Sequence, residues 1–433
     1  MITRDISLED CILDLIDNSI DGAWRLEGGQ PMSLDHGADL SKYMIEMNAN
    51  AQGFSIRDNC GGITLDNAAE YAFTFGRKEK EAEDPYSIGV YGIGMKRAVF
   101  KIGAKINIRS TYRTPDSVES FQVPIDVPAW MVNETDGWDF DIAVADDLPA
   151  PGVEITVTNL TASTENSLGS PAFIQMLRRT IGRDYAIFLH RGLTIKLNGS
   201  KVSPWQIELR SGAEFAPMRI AYDETINGEI VKVEILAGMA AAPPEEVVPD
   251  DEKDGEKPYG WYVVCNGRIV LAANKTETTG WGADGWPHWH SQYYGFLGLV
   301  MFTSAQTKLL PLTTTKRSVD VSSEVFRRAG PKMRDAVRLW IDYTNARKGS
   351  LEQAKKLEAQ ATPVSIFKIA TSSAISVPRF APQPKVKVAN ISYSVPLERQ
   401  RALASALGNV NMSYRDVGIN SFEYTYKDHV GDE

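Results

Sequence analysis

Along residues 8–24, LEDCILDLIDNSIDGAW, apolar side chains return every third or fourth position, at Leu8, Cys11, Ile12, Leu15, Ile16 and Ile20. That period marks one buried face of an amphipathic helix. Ser7 suits the N-cap, and Glu9 and Asp10 fall in the first turn, where the helix dipole favours acids. Asp14 and Asn18 project from the same side one turn apart. An acid and an amide stacked this way suit a divalent ion and an oriented water. Taken alone, a D-x-x-x-N pair is far more often a solvated polar stripe, and the rest of the chain has to overturn that reading.

Beyond this helix the period shifts to two. Residues 27–41 read as a loop, while Tyr43–Asn48 and Gly53–Asp58 alternate like paired, half-buried strands joined by a turn at 48–52. Thr64 or Asp66 caps a short helix through Phe75, and Gly76–Tyr86 is a charged segment with the character of a lid. Helical spacing returns after Gly94. Strands are expected at Lys105–Thr111, Glu119–Pro124, Trp138–Val144 and Gly152–Asn159. A helix over Ser170–Leu189 and a strand at Leu193–Leu197 close the first domain near residue 200. A second β-rich region has strands at Phe215–Tyr222, Glu229–Ala237, Gly260–Val264, Arg268–Leu271 and Gly295–Phe302, with Pro243–Pro258 as a disordered acidic loop. Helices follow over Ser322–Lys348 and Leu351–Ala361, then a Pro/Ser-rich linker from Pro363 to Pro384. A small C-terminal module holds Ile391–Val395, a helix at Leu397–Leu407 and Phe422–Tyr426. The class is α+β, with divisions at 1–200, 201–348 and 349–433.

Composition narrows the setting. No signal-peptide pattern is seen, and the densest apolar stretch, Tyr293–Phe302, is far too short to span a bilayer, so a cytoplasmic protein without membrane contact is expected. Three scattered cysteines exclude a disulfide framework and fit a reducing compartment. The net charge of −10 is uneven, since residues 346–433 carry 12 basic against 8 acidic side chains and the rest 34 against 48. An acidic body argues against a broad nucleic-acid surface while allowing a local basic groove. His288 and His290 lie among Trp281, Trp286 and Trp289. With no third ligand in sight, surface packing is favoured over a metal site.

Two further motifs change the weight of the first. Asp58-Asn59-Cys60-Gly61-Gly62-Ile63 places an acid at a strand end before adjacent glycines, which lets backbone approach a flat ligand; an ordinary Asx turn would look similar. Gly89-Val90-Tyr91-Gly92-Ile93-Gly94-Met95-Lys96 opens a helix with exposed N–H groups at its positive end, a phosphate cradle. It is not a P-loop, because G-x-x-x-x-G-K-[ST] is absent.

In this order and spacing, DLIDNSIDG, DNCGGI and GVYGIGMK resemble the N-box, adenine box and glycine-rich lid box of the GHKL ATPase superfamily, across about residues 5–200. The resemblance implies a Bergerat two-layer α/β sandwich. YGIGMKRA is similar to the MORC and MutL branch. GWYVVCNGRIVL and PLTTTKRSVD resemble a transducer strand pair and its lysine loop, which implies a transducer-like β-α domain after the sandwich and then a small C-terminal region. No phosphoacceptor-His helix precedes the domain, which counts against a sensor kinase.

By that resemblance Asp14 is the general base, Asn18 the Mg²⁺ ligand and Asp58 the acceptor for the adenine amino group. Gly62 gives the base room, and Gly89, Gly92 and Gly94 wrap the phosphates with Lys96. Lys316 is the transducer lysine, with Lys308 in Gln306-Thr307-Lys308 as its rival. Three departures stand out. The family base is usually Glu, and Asp14 is one methylene shorter, which withdraws the carboxylate by roughly 1.5 Å. Cys60 replaces a glycine of the adenine box. Gly152-Val153 replaces Gly-Thr, and Thr156 points to the other face.

The expected function is ATP binding with Mg²⁺ and slow hydrolysis, in which lid closure and domain reorientation act as a switch, with a nucleotide-dependent homodimer. The alternative is an ATP-gated clamp or scaffold on nucleic acid or a protein client, with little or no turnover.

Overall fold

The computed structural model describes residues 6–29, 31–35, 37–69, 85–89, 94–132, 140–245, 258–283, 285–380 and 389–431. Most of the expected lid (76–84), the end of the helix expected through Phe75, Gly92, the start of the strand expected at Trp138 and most of the acidic loop at 243–258 lie outside the described residues. The chain divides into two compact units, Met1–Ala381 and Pro382–Glu433.

The first unit begins with α1 (Leu8–Leu26), whose N-cap Ser7 Oγ accepts from the Asp10 N–H at 3.0 Å. Next come β1 (Met44–Asn50), β2 (Gly53–Asp58), the short α2 (Leu65–Asn67) capped by Thr64, α3 (Gly94–Ile102), β3 (Gly103–Arg113), β4 (Val118–Asp126), α4 (Val127–Val132) and β5 (Ala143–Val144). After β6 (Gly152–Leu160) the chain forms α5 (Ala162–Leu168), α6 (Pro171–Asp184), α7 (Ala186–His190), β7 (Thr194–Leu197) and β8 (Ser200–Lys201). The expected helix over 170–189 is therefore broken at Tyr185, and α5 precedes it. The eight strands run β5-β4-β3-β6-β2-β1-β7-β8, antiparallel except for β1 beside β7.

Alternation along these strands separates two environments. Ile45, Met47, Phe54, Ile56, Ile106, Ile108, Ile155 and Val157 join α1 in a core. The other face carries a ladder of ion pairs across β7, β1, β2, β6 and β3. Lys196 meets Glu46 at 3.9 Å, Glu46 meets Arg57 at 3.0 Å, Arg57 meets Glu154 at 4.0 Å, and Glu154 meets Arg109 at 3.1 Å.

The second sheet is built differently. After β9 (Glu208–Ser211), the strands β10 (Met218–Ile226), β11 (Glu229–Met239), β12 (Gly260–Cys265), β13 (Arg268–Asn274) and β14 (Phe296–Thr303) pair in the order β10-β11-β14-β12-β13, with β12 and β14 parallel. Every residue of β12 and β14 is buried. On one face Trp261, Val263, Phe296, Val300 and Phe302 pack with Phe326, Met333 and Trp340 of α8 (Glu324–Arg347). On the other, Tyr262, Val264, Leu297, Leu299 and Met301 merge with the core of α1 and the first sheet. Gly298 permits this, because a Cβ there would lie 2.4 Å from the Trp261 ring.

Helix α9 (Leu351–Gln360) leads into β15 (Thr362–Ser365), which pairs with β9. The stretch expected as a Pro/Ser-rich linker thus packs back on the body: Ile366, Ile369 and Ile375 are buried, and Ser372 and Ser376 bridge to Arg219 and Ala216. Its regularly placed isoleucines outweigh its prolines. Trp281 likewise belongs to the core, 4.7 Å from the Trp289 ring by centroids, and is not a surface residue. The second unit holds α10 (Leu397–Ala406) and α11 (Tyr414–His429), so Phe422 and Tyr426 stack one turn apart on a helix, while Ile391–Val395 has no regular structure.

Candidate active site

Helix α1 is buried on more sides than its apolar stripe requires. Asp17 is wholly buried and Asp14 partly so, because residues that follow the second sheet's strands cover this part of the polar side. The loop after β14 delivers Lys316, whose Nζ lies 3.0 Å from Asp14 Oδ1 and 2.8 Å from Asp17 Oδ2. Lys316 has a left-handed backbone (φ +54°), an uncommon conformation for a residue with a Cβ. Burial alone would lower the Lys316 pKa, but the Asp17 and Asp14 carboxylates raise it above its ordinary value. Burial raises the pKa of Asp14, against the pull of Lys316.

Asp17 collects further partners. Arg268, the first residue of β13, forms a buried ion pair with it, and the Tyr185 hydroxyl donates to Asp17 Oδ1 at 2.7 Å. Arg268 follows the tight Asn266-Gly267 turn, in which both residues have positive φ, as a two-residue hairpin of this kind needs. The neighbouring Arg317 reaches Glu9 at 3.1 Å, Asp10 at 3.3 Å and Asp184 at 3.1 Å. The acids of the first helical turn are therefore docking points for the loop after β14 as well as complements to the dipole. Asn18, by contrast, is exposed.

Asp58 ends β2 with both carboxylate oxygens engaged. Ser19 Oγ donates to Oδ2 at 2.6 Å, and the Cys60 and Val153 amides donate to Oδ1 at 2.9 and 3.2 Å. Burial raises its pKa despite these bonds. The hydroxyl absent at Val153 is thus supplied from α1 by Ser19. Gly62 (φ +75°) is required by packing, since a Cβ there would fall 2.1 Å from the Thr111 carbonyl oxygen.

The described part of the glycine-rich segment is held from two sides. Asp21 accepts from the Ile88 and Gly89 amides at 2.7 and 2.8 Å, and burial raises its pKa to about 6. From the turns of the second sheet, Asn266 Nδ2 and Thr307 Oγ1 donate to the Ser87 carbonyl at 3.0 and 2.7 Å. A Cβ on Gly89 would approach Asp21 Oδ2 to 2.9 Å and Asn18 Oδ1 to 3.9 Å, and one on Gly94 would approach Asp14 Oδ2 to 3.1 Å. Lys96, on the first turn of α3, is buried, which lowers its pKa. Lys308 is exposed on a turn after β14 and does not join the cluster, whereas Lys316 does.

Residues 6–146 match the family described as histidine kinase-, DNA gyrase B- and HSP90-like ATPase. That match supports placing this part of the chain in the GHKL superfamily. The mixed helix and sheet architecture agrees with the GHKL α+β sandwich, followed by further structure. No match was found among curated proteins. Around the GHKL boxes, sequence reasoning missed Asp17, Ser19, Asp21, Ser87 and Arg268. Asp17 and Asp21 share the polar side of α1 with Asp14 at three- and four-residue steps, so helical periodicity could have pointed to them. Nothing local links Ser19 to Asp58 or Arg268 to Asp17.

Proposed function

We propose that the protein binds ATP with Mg²⁺ and hydrolyses it slowly, using the second domain (residues 201–348) as a transducer of the GHKL domain (1–200) in the manner of MORC and MutL proteins. The observation that carries this reading is Lys316, which reaches from the second domain to place its ammonium between Asp14 and Asp17.

Asp58 would accept from the adenine, and Gly89, Gly92 and Gly94 with Lys96 would surround the phosphates. The close approaches at Gly89 and Gly94, which a Cβ would fill, fit such a cradle. Asn18 is an exposed amide beside it, a hard oxygen donor suited to Mg²⁺, and the ion would neutralise charge developing on the phosphates. Asp14 takes the proton of the attacking water at its carboxylate, and its raised pKa suits a base. Lys316 supplies positive charge to the terminal phosphate, and nucleotide binding closes the lid and draws two copies of the chain together.

Single-turnover hydrolysis is expected to fall by roughly 10²–10⁴ in Asp14→Ala, and Asn18→Ala and Lys316→Ala are also expected to be slowed. Wild-type rates in all three would show that the assigned site is wrong. A second reading draws support from the short Asp14 side chain and its ion pair with Lys316: an ATP-gated clamp on nucleic acid or a protein client with little turnover. Salt-dependent DNA binding that responds to a non-hydrolysable nucleotide would favour the clamp, and steady turnover stimulated by a protein would favour the switch.

A further inference from the structure

We propose that Arg268 is the positioning residue that lets the Lys316 cluster accept a terminal phosphate, by neutralising Asp17 so that Lys316 does not have to. This inference rests on the nucleotide-site reading above.

The argument is one of charge and donor count. Two carboxylates, Asp14 and Asp17, meet two cations, Lys316 and Arg268. Both Asp17 and Arg268 are almost completely excluded from solvent, so their charges are weakly screened. Lys316 has three N–H donors, of which Asp14 and Asp17 take two. With Arg268 present these four side chains carry no net charge, so the repulsion that an incoming phosphate meets from Asp21, which also acts on Asp17 and Lys316, is not compounded. Without Arg268, two carboxylates would face a single ammonium, repelling an anion and holding Lys316 at full strength. A unit of charge within such a cluster changes anion affinity by roughly tenfold or more.

Geometry shows why this arginine is dedicated to the task. The Asn266-Gly267 turn sets Arg268 at the start of β13, and Gly267 packs against Phe188, since a Cβ there would lie 2.8 Å from that ring. The guanidinium sits over the Tyr185 ring at 5.5 Å from its centroid, and Tyr185 itself donates to Asp17. The arginine is thereby aimed at Asp17, the inner acid, while Lys316 reaches Asp14 as well.

Equilibrium binding of ADP and of the imido analogue of ATP to the full chain tests this. Arg268→Gln is expected to weaken the analogue about tenfold or more while leaving ADP within roughly threefold, because only the analogue carries a terminal phosphate. The neutral double variant Asp17→Asn/Arg268→Gln, and Arg268→Lys, are expected to recover most of the difference. Equal loss for both nucleotides, or no recovery in the double variant, would overturn the proposal in favour of a merely structural ion pair. Should Arg268→Gln fail to fold, the double variant and Arg268→Lys decide the question. Lys316→Met serves as the separate control. If it leaves the preference for the analogue over ADP untouched, the nucleotide-site reading fails, whatever Arg268 does.

Discussion

The two sheets of this protein solve the same problem in opposite ways. The first buries one face under α1 and leaves the other to water, where Lys196, Glu46, Arg57, Glu154 and Arg109 pair across the strands. The second is buried on both faces, against α8 on one and against the core of α1 and the first sheet on the other. A one-sided sheet can hold a ligand site beside its covering helix without disturbing its far face. A two-sided sheet is rigidly gripped, so its loops act as fixed arms. The arm that ends in Lys316 and Arg317, and the start of β13 at Arg268, tie the second sheet to α1.

If that contrast is right, the largest stability loss should come from the doubly buried sheet. Trp261→Ala removes a wholly buried indole and is expected to cost about 3–5 kcal/mol in chemical unfolding. A loss below about 1 kcal/mol would mean that α8 does not pack tightly on this face. Leu299→Ala, on the opposite face, should cost about 2–5 kcal/mol and should also speed amide hydrogen exchange around Arg268. Unchanged exchange there would separate the docking of the sheet from the positioning of the arginine.

Asp21 probes the border between the two regions. Its folded pKa of about 6 lies above the free aspartate value, so its contribution to stability is full below the free value and lost as pH rises through 6. Asp21→Asn abolishes that titration. The stability of wild type relative to the variant should therefore fall by on the order of 1–2 kcal/mol between roughly pH 4 and pH 7.5, read by urea unfolding at each pH. A flat difference would place Asp21 in contact with water. The smallest effect belongs to the open face. Arg57→Gln should cost less than about 1 kcal/mol, and most of that should vanish at roughly 0.5 M salt. A larger, salt-insensitive loss would mean that this face is covered after all.

Much of this architecture can be read along the chain. The apolar stripe and Ser7 cap of α1, the alternating strands of the first sheet and the GHKL boxes are local patterns, and the family match over residues 6–146 agrees with them. The continuous apolar runs of β12 and β14 are also visible, but periodicity cannot tell which face meets which partner when every residue is buried. The Pro/Ser-rich stretch after Thr362 misleads because composition reports flexibility, whereas β15 and the buried isoleucines find their partners far away in sequence.

The chain alone determined where α1 begins, which side of it is apolar, and that Asp14 and Asn18 share a polar side one turn apart. Only the tertiary structure decided that Asp14 is covered while Asn18 stays exposed, that Lys316 and not Lys308 reaches Asp14, and that Asp17 and Arg268 join the same cluster. The physical reason is distance along the chain. Helix and strand patterns repeat within a few residues and are written locally, while a buried charge cluster is set by which loops the second sheet, gripped on both faces, delivers to the helix.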